Sequence, residues 1–186
     1  MILVNQDDSE VIARLGFMRK VEQFITYIQS DNYESGYAEK IVKSLKTEFS
    51  ETLFSQLRQL FLCTLDHEIR DRIAIAFIDL GDARALEILM LMIKCSKTYL
   101  HRGTLVYAVS KFNPANYIYD LVCLAVNDTW ETSTEAINAI ESITGIIDEN
   151  EFIKCTDFLS ENISKLDGWR KEHAQELFLV FEENVS

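Results

Sequence analysis

The chain has 186 residues, 48% of them hydrophobic, and a formal net charge of −12 at pH 7. This length suits one substantial hydrophobic core, and the apolar content is too high for a disordered chain. With one proline and six glycines, the chain has too little turn chemistry for a many-stranded sheet, so we predict a single all-α domain over residues 1–186.

Apolar residues recur at helical spacing along most of the chain. The first predicted helix runs from about Ser9 to Ser30. The next helix has Tyr37 on its buried side, and Ser50 is expected to cap a separate third helix. Asp66 and Gly81 are the expected first and last caps of a later helix. In total we predict about ten helices, at about residues 9–30, 35–47, 51–65, 66–80, 82–93, 98–112, 115–126, 128–143, 148–164 and 168–184.

A repeat is visible in the middle of the chain. Arg70 matches Arg102, and Ala76 matches Ala108, each pair 32 residues apart, while Ala139 follows Ala108 by 31. Offsets of this size are typical of helical repeat arrays, in which each hairpin buries its apolar face against its neighbours.

No sequence feature indicates a membrane or an oxidising compartment. No apolar run approaches the roughly 20 residues that span a bilayer, and the start MILVNQDDSEVIARLGF lacks the features of a secretory signal. The four cysteines have no CxxC spacing. We therefore expect a cytoplasmic protein without membrane contact, and reduced, mostly buried thiols at Cys63, Cys95, Cys123 and Cys155, with Cys123 on the outer stripe of its helix.

Enzyme motifs are also missing from the sequence. There is no phosphate loop, GxGxxG or GxSxG motif. The histidines His67, His101 and His173 have no neighbours spaced as in a zinc site or a catalytic triad. We therefore expect no enzymatic activity, no cofactor and no bound metal.

The negative charge is concentrated in the C-terminal part of the chain. Residues 114–186 carry 15 acidic and 4 basic residues, whereas residues 67–113 carry 5 and 7. No Lys or Arg lies between Lys111 and Lys154, an interval with eight acidic residues. Such a field repels phosphate backbones and speeds association with a basic protein. The charge pattern favours a basic protein partner and opposes nucleic-acid binding.

Acidic residues gather at two successive predicted turns of this interval, in VNDTWETSTEAINAIES and IIDENEF. Acids at helix starts stabilise the helix dipole, so capping explains part of the pattern. A tryptophan beside several acids is also typical of an interface anchor with a charged rim. The residues that we expect to contact a partner are Tyr119, Asp120, Asp128, Trp130, Glu131, Glu135, Asp148, Glu149 and Glu151.

The segment IRDRIAIAFIDLGDARALEIL resembles a HEAT-type repeat. The resemblance rests on an Ile-Arg pair at residues 69–70, alanines at 74 and 76, Leu-Gly-Asp at 80–82 and Ala-Leu at 85–86. It implies a right-handed α-solenoid of antiparallel helix hairpins.

RGTLVYAVSKF, followed by LVCLAVNDTWETSTEAINAIESI, is similar to small HEAT-like immunity proteins of bacterial contact-dependent growth inhibition and polymorphic toxin systems. That similarity implies a cytosolic protein that binds and neutralises a cognate toxin domain, and the acidic charge suits a basic nuclease. A general HEAT-repeat adaptor with an apolar peptide groove is the alternative, and its affinity would depend little on salt. A HEAT-like chromophore lyase or DNA glycosylase is a third possibility, although a glycosylase needs a basic DNA-binding face.

Overall fold

The computed structural model of the chain describes residues 6–183, and it describes side chains from residue 16 to residue 181 except those of residues 17, 48 and 49. Residues 6–183 form nine α-helices and three short 3₁₀ turns, and they contain no β-strand. The prediction of an all-α chain is confirmed. The chain divides into two compact units, Met1–Asp82 and Ala83–Ser186.

Three helices belong to unit 1 and six to unit 2. Short 3₁₀ turns lie at residues 96–98, 115–117 and 163–165. The α-helices are α1 (Gln6–Ile28), α2 (Ser35–Cys63), α3 (His67–Leu80), α4 (Arg84–Ile93), α5 (Gly103–Val109), α6 (Ile118–Asn127), α7 (Trp130–Glu141), α8 (Glu149–Asn162) and α9 (Gly168–Glu183). Within residues 6–183, no helix is both long and apolar enough to cross a membrane.

Helix α2 corrects two expectations. It continues through Ser50, where we predicted a break, because no glycine or proline interrupts residues 37–63 and serine at an interior position costs a helix only a fraction of a kcal/mol. Tyr37 is exposed rather than buried. The described buried side chains of this 29-residue helix include Ala38, Val42, Leu45, Leu53, Leu57 and Phe61.

Unit 1 is centred on the packing of α2 against α3. The rings of Phe61 and Phe77 meet edge to face with their centroids 5.5 Å apart, and both are buried. Asp66 accepts hydrogen bonds from the first amides of α3, as predicted. Gly81 ends α3 in the left-handed conformation, also as predicted, with φ of 66°.

In unit 2, α7 packs against both α5 and α6, and α6 also contacts α8 and α9. The contact of α6 with α7 is the most extensive among these helices, although the sequence pattern assigns the two helices to successive repeats. The repeat positions themselves are equivalent in burial, since Ala76, Ala108 and Ala139 are all buried. Small side chains at these positions allow close approach of the neighbouring helices.

The start of the second repeat differs from the prediction. We expected a helix from Thr98, but α5 begins only at Gly103. The buried hydroxyl of Thr98 lies 2.9 Å from the carbonyl oxygens of Met92 and Cys95, and this interaction closes the end of α4 instead. Leu100 follows in the left-handed region with φ of 71°, which no helix tolerates.

The cysteines are free thiols, but fewer of them are buried than expected. Cys155 is buried in α8, whereas Cys63 is exposed at the end of α2 and the other two are partly covered. Cys63 is exposed because the buried stripe of α2 ends at Phe61, and position 63 points away from it.

Candidate functional site

The base-free interval from residue 112 to residue 153 covers α6, α7 and the first turn of α8. Its acidic residues occupy three kinds of environment: a buried ion pair, helix caps and exposed pairs, and an exposed helix face without a cation. These environments decide which of the predicted partner-binding residues are available to a partner.

Asp128 lies in the interior. Its Oδ2 is 2.6 Å from Arg102 Nη1, and its Oδ1 accepts a hydrogen bond of 2.8 Å from the Thr129 amide. Arg170 donates to its backbone carbonyl at 3.2 Å. The structure therefore places this carboxylate in a buried ion pair, where its role is to hold helix starts together.

Four further predicted residues have partners inside the chain. Asp120 pairs with Lys94 at 2.6 Å, and Glu151 pairs with Lys154. Asp148 caps α8 by accepting from the amides of Asn150 and Glu151. The Tyr119 ring packs edge to face against Phe158, with centroids 5.8 Å apart.

The exposed face of α7 is acidic. Glu131 and Glu141 are exposed and Glu135 is half-buried on this side of the helix, while Thr132, Ser133, Ala136, Ile137, Ala139 and Ile140 form the opposite, buried face. Among the described residues, none of the three glutamates makes an ion pair. This face is the largest uncompensated charge of the interval.

Trp130 begins this face, with 59% of its surface exposed. Glu131 follows it and lies over Gly103, where the absence of a Cβ leaves room for its side chain. An exposed indole beside unpaired carboxylates has the composition of an interface anchor with a charged rim.

The two acidic turns lie at opposite ends of α7. The helix has 12 residues, so the turn before Trp130 and the turn after Glu141 are separated by roughly 18 Å at 1.5 Å per residue. The acidic residues that lie between the two turns are the glutamates of α7. A partner that contacts both turns must therefore lie along the α7 face.

An apolar groove opens at the C-terminal end of this face. Its volume is about 750 Å³, and its apolar lining includes Ile143, Ile146, Phe152 and Ile153. The side chains of Glu141 and Glu149 are also part of the lining. Ile146 is 98% exposed. Glu149 is among the residues predicted to contact a partner, whereas Glu141 and the isoleucines of the groove were not predicted.

A second cavity, of about 400 Å³, lies in unit 2 among residues of α4, α6 and the segment before α5. Its polar lining includes the pairs of Lys94 with Asp120 and of Arg102 with Asp128. Because these cations and carboxylates already satisfy one another, the cavity offers little unpaired charge to a ligand. We therefore interpret its ion pairs as contacts that stabilise unit 2, and we do not interpret the cavity as a ligand site.

The histidine His173 has a partner that its sequence neighbours did not suggest. Its Nδ1 lies 2.7 Å from the hydroxyl of Ser133, which in turn donates to the carbonyl of Ala125. The serine is fully buried and its proton is directed to a backbone oxygen, so this pair joins α9 to α7 and lacks the exposed hydroxyl of a nucleophile. Among the described side chains, no group of three or more His, Cys, Asp or Glu residues is arranged to hold a metal ion.

No protein-family model matches this chain, and no curated protein matches it. The chemistry of the α7 face and of the groove beside it is therefore the basis on which we infer a function.

Proposed function

We propose that this protein is a cytoplasmic, bacterial immunity protein without catalytic activity, built as a HEAT-like solenoid. It binds and neutralises a cognate toxin domain, a basic nuclease, through the acidic face of α7. The observation that supports the proposal is a set of three glutamates without an ion-pair partner among the described residues, in an interval without Lys or Arg: Glu131 and Glu141 are exposed, and Glu135 is half-buried.

The physical basis is charge complementarity with a nucleic-acid enzyme. A nuclease must attract a phosphate backbone, and therefore carries Lys and Arg around its active site. An acidic helix face attracts the same surface and occludes it, and the long-range field raises the association rate constant. Trp130 supplies an aromatic anchor at one end of the face.

The test uses the C-terminal domain of the protein that is encoded immediately upstream of this chain. Bacteria that express this domain alone should stop growing, and co-expression of the immunity protein should restore growth. The purified pair should associate, and the affinity should fall steeply as salt is raised from 50 to about 500 mM. Absence of both binding and protection would overturn the proposal.

A charge variant locates the binding face. The triple variant Glu131→Gln, Glu135→Gln, Glu141→Gln should lower the association rate constant about tenfold at low salt, and much less at high salt. The matched control is Glu22→Gln, Asp31→Asn, Glu34→Gln, which removes the same charge from exposed positions of unit 1. Equal effects of the two triple variants would assign the attraction to net charge and contradict a specific role for α7.

The groove beside Ile146 supports a second candidate, a general adaptor that binds an apolar peptide of another protein. For an adaptor of this kind the binding free energy comes mainly from apolar burial, so affinity should change little with salt. The salt series therefore distinguishes the two functions with the same purified proteins.

A further inference from the structure

The groove at the end of α7 has a lining that is unusual for a solvent-facing surface. Ile146 stands almost fully in solvent, and Ile153 of α8 is also exposed. Phe152 lies partly covered in the same groove, and Phe181 of α9 is buried at its base. Adjacent exposed aliphatic side chains of this kind mark interaction sites more often than isolated ones do.

The loop that presents Ile146 is held in place. The Asn113 side chain donates to the Thr144 carbonyl at 2.9 Å and accepts from the Thr144 amide at 3.4 Å. These two hydrogen bonds fix the segment that follows α7 to the turn before α6. Gly145 then takes a φ of 96°, a conformation that favours glycine, and the exposed Ile146 follows it. A held loop loses little conformational entropy when a partner binds to it.

The charge around the groove selects the partner's chemistry. Glu141 and Glu149 are exposed carboxylates of the lining, and neither makes an ion pair among the described residues. The nearby Lys154 is compensated by Glu151. An apolar segment flanked by Lys or Arg is complementary to this surface in both hydrophobicity and charge, whereas a segment flanked by acidic residues is repelled by its carboxylates.

We propose that this groove receives a segment of the partner protein in which aliphatic side chains are flanked by lysine or arginine. The aliphatic side chains cover Ile146 and Ile153, and the flanking cations meet Glu141 and Glu149. This inference rests on the proposed function, in which the base-free part of the chain binds a basic protein, and it adds the place where that protein inserts apolar side chains.

The test uses a defined probe, an 18-residue amphipathic peptide of leucine and lysine, added to the full-length ¹⁵N-labelled protein. We expect amide chemical-shift changes centred on residues 140–153 and 180–181. A leucine–glutamate peptide and a lysine–serine peptide of the same length should each bind at least about tenfold more weakly. Absence of binding by the leucine–lysine peptide, or shifts located elsewhere, would overturn the inference.

Two variants separate apolar from charged contributions. Ile146→Asp should weaken peptide binding about tenfold, because it places a carboxylate where the aliphatic contact forms. The matched control Leu65→Asp replaces another highly exposed aliphatic residue, in unit 1, and should leave the affinity unchanged. The double variant Glu141→Gln, Glu149→Gln should weaken binding severalfold and reduce its salt dependence. Equal affinities for wild type and Ile146→Asp would contradict the groove as the site.

The toxin experiment gives an independent outcome. If the charge variant of α7 weakens toxin binding while Ile146→Asp does not, the groove inference fails and the proposed function stands. If the peptide maps to the groove but the upstream-encoded domain neither binds nor is neutralised, the proposed function fails and the groove remains a binding site for a basic, apolar segment.

Discussion

Arg102 Nη1 lies 2.6 Å from Asp128 Oδ2, with 14% of the arginine side chain and 3% of the aspartate side chain exposed. Arg102 directly precedes α5 and Asp128 directly precedes the cap of α7, so the pair joins the starts of two helices that pack together. Arg170 of α9 also contacts this site, since it donates a hydrogen bond to the Asp128 carbonyl oxygen. This ion pair thus holds the start of α7, the helix that carries the acidic face, against the start of α5.

Removing the Asp128 carboxylate should destabilise the fold. Asp128→Ala leaves a largely buried guanidinium without its counter-charge, and breaking such a pair costs about 3 kcal/mol of unfolding free energy. Urea denaturation followed by circular dichroism measures the change. Glu149→Gln, an exposed charge, is the control and should change the free energy by less than about 0.5 kcal/mol. A similarly small effect of Asp128→Ala would contradict a structural role for the pair.

Gly103→Ala should disturb Glu131 without unfolding the protein. A Cβ at this position overlaps the Glu131 side chain, which is exposed and able to rotate away. We expect a change in unfolding free energy of less than about 1 kcal/mol, since alanine also favours the helix. Binding of the toxin domain should weaken severalfold. Gly16→Ala is the control because no atom lies near its added Cβ, and an unchanged affinity for Gly103→Ala would show that the position of Glu131 is unimportant.

Gly81→Ala should destabilise unit 1 because the residue ends α3 with φ of 66°. A left-handed conformation costs an alanine about 1–2 kcal/mol relative to glycine. Thermal and urea denaturation should both report the loss. Gly36→Ala, within α2 and with open space around its added Cβ, should instead be neutral or stabilising. Equal behaviour of the two variants would contradict the left-handed cap.

Cysteine alkylation should separate Cys155 from Cys63. Burial, together with the nearby carboxylate of Glu151, raises the pKa of the Cys155 thiol from 9.0 to about 12. At pH 8 only about one thiol in 10⁴ at this site is then ionised, so iodoacetamide should react slowly with it. Cys63 is exposed and should react much faster. Single-cysteine variants followed by mass spectrometry measure both rates, and comparable rates would contradict the burial of Cys155.

The same pKa shift predicts that the free energy of unfolding decreases at high pH. The folded chain holds the Cys155 proton more tightly than the unfolded chain does. The contribution of this protonated thiol to the free energy of unfolding is therefore fully present below pH 9. It is lost as pH rises from about 9 to about 12, because the unfolded thiol ionises first. Unfolding free energies measured across this range should therefore fall more steeply for the wild type than for Cys155→Ala.

Local sequence determined the helical class and several helix ends. Asp66 and Asp148 cap helices because each carboxylate reaches amides two and three residues away, an interaction that depends on neighbouring residues alone. Gly81 ends α3 because only glycine adopts its backbone conformation without strain. Ala76, Ala108 and Ala139 were predictable as buried because their offset repeats the helical pattern.

Tertiary structure decided which acidic residues remain free to bind a partner. Asp128 and Glu131 look alike in the sequence, but Asp128 is neutralised by an arginine 26 residues away and Glu131 is not. The Ser133–His173 contact spans 40 residues, and Asn113 fixes a loop 31 residues further along. The periodicity of a helix tells which of its sides is buried, but it carries no information about which charge or amide the packed neighbour supplies. For that reason the acidic interval was readable from the sequence, while its exposed α7 face and the groove at Ile146 came only from the packing of the helices.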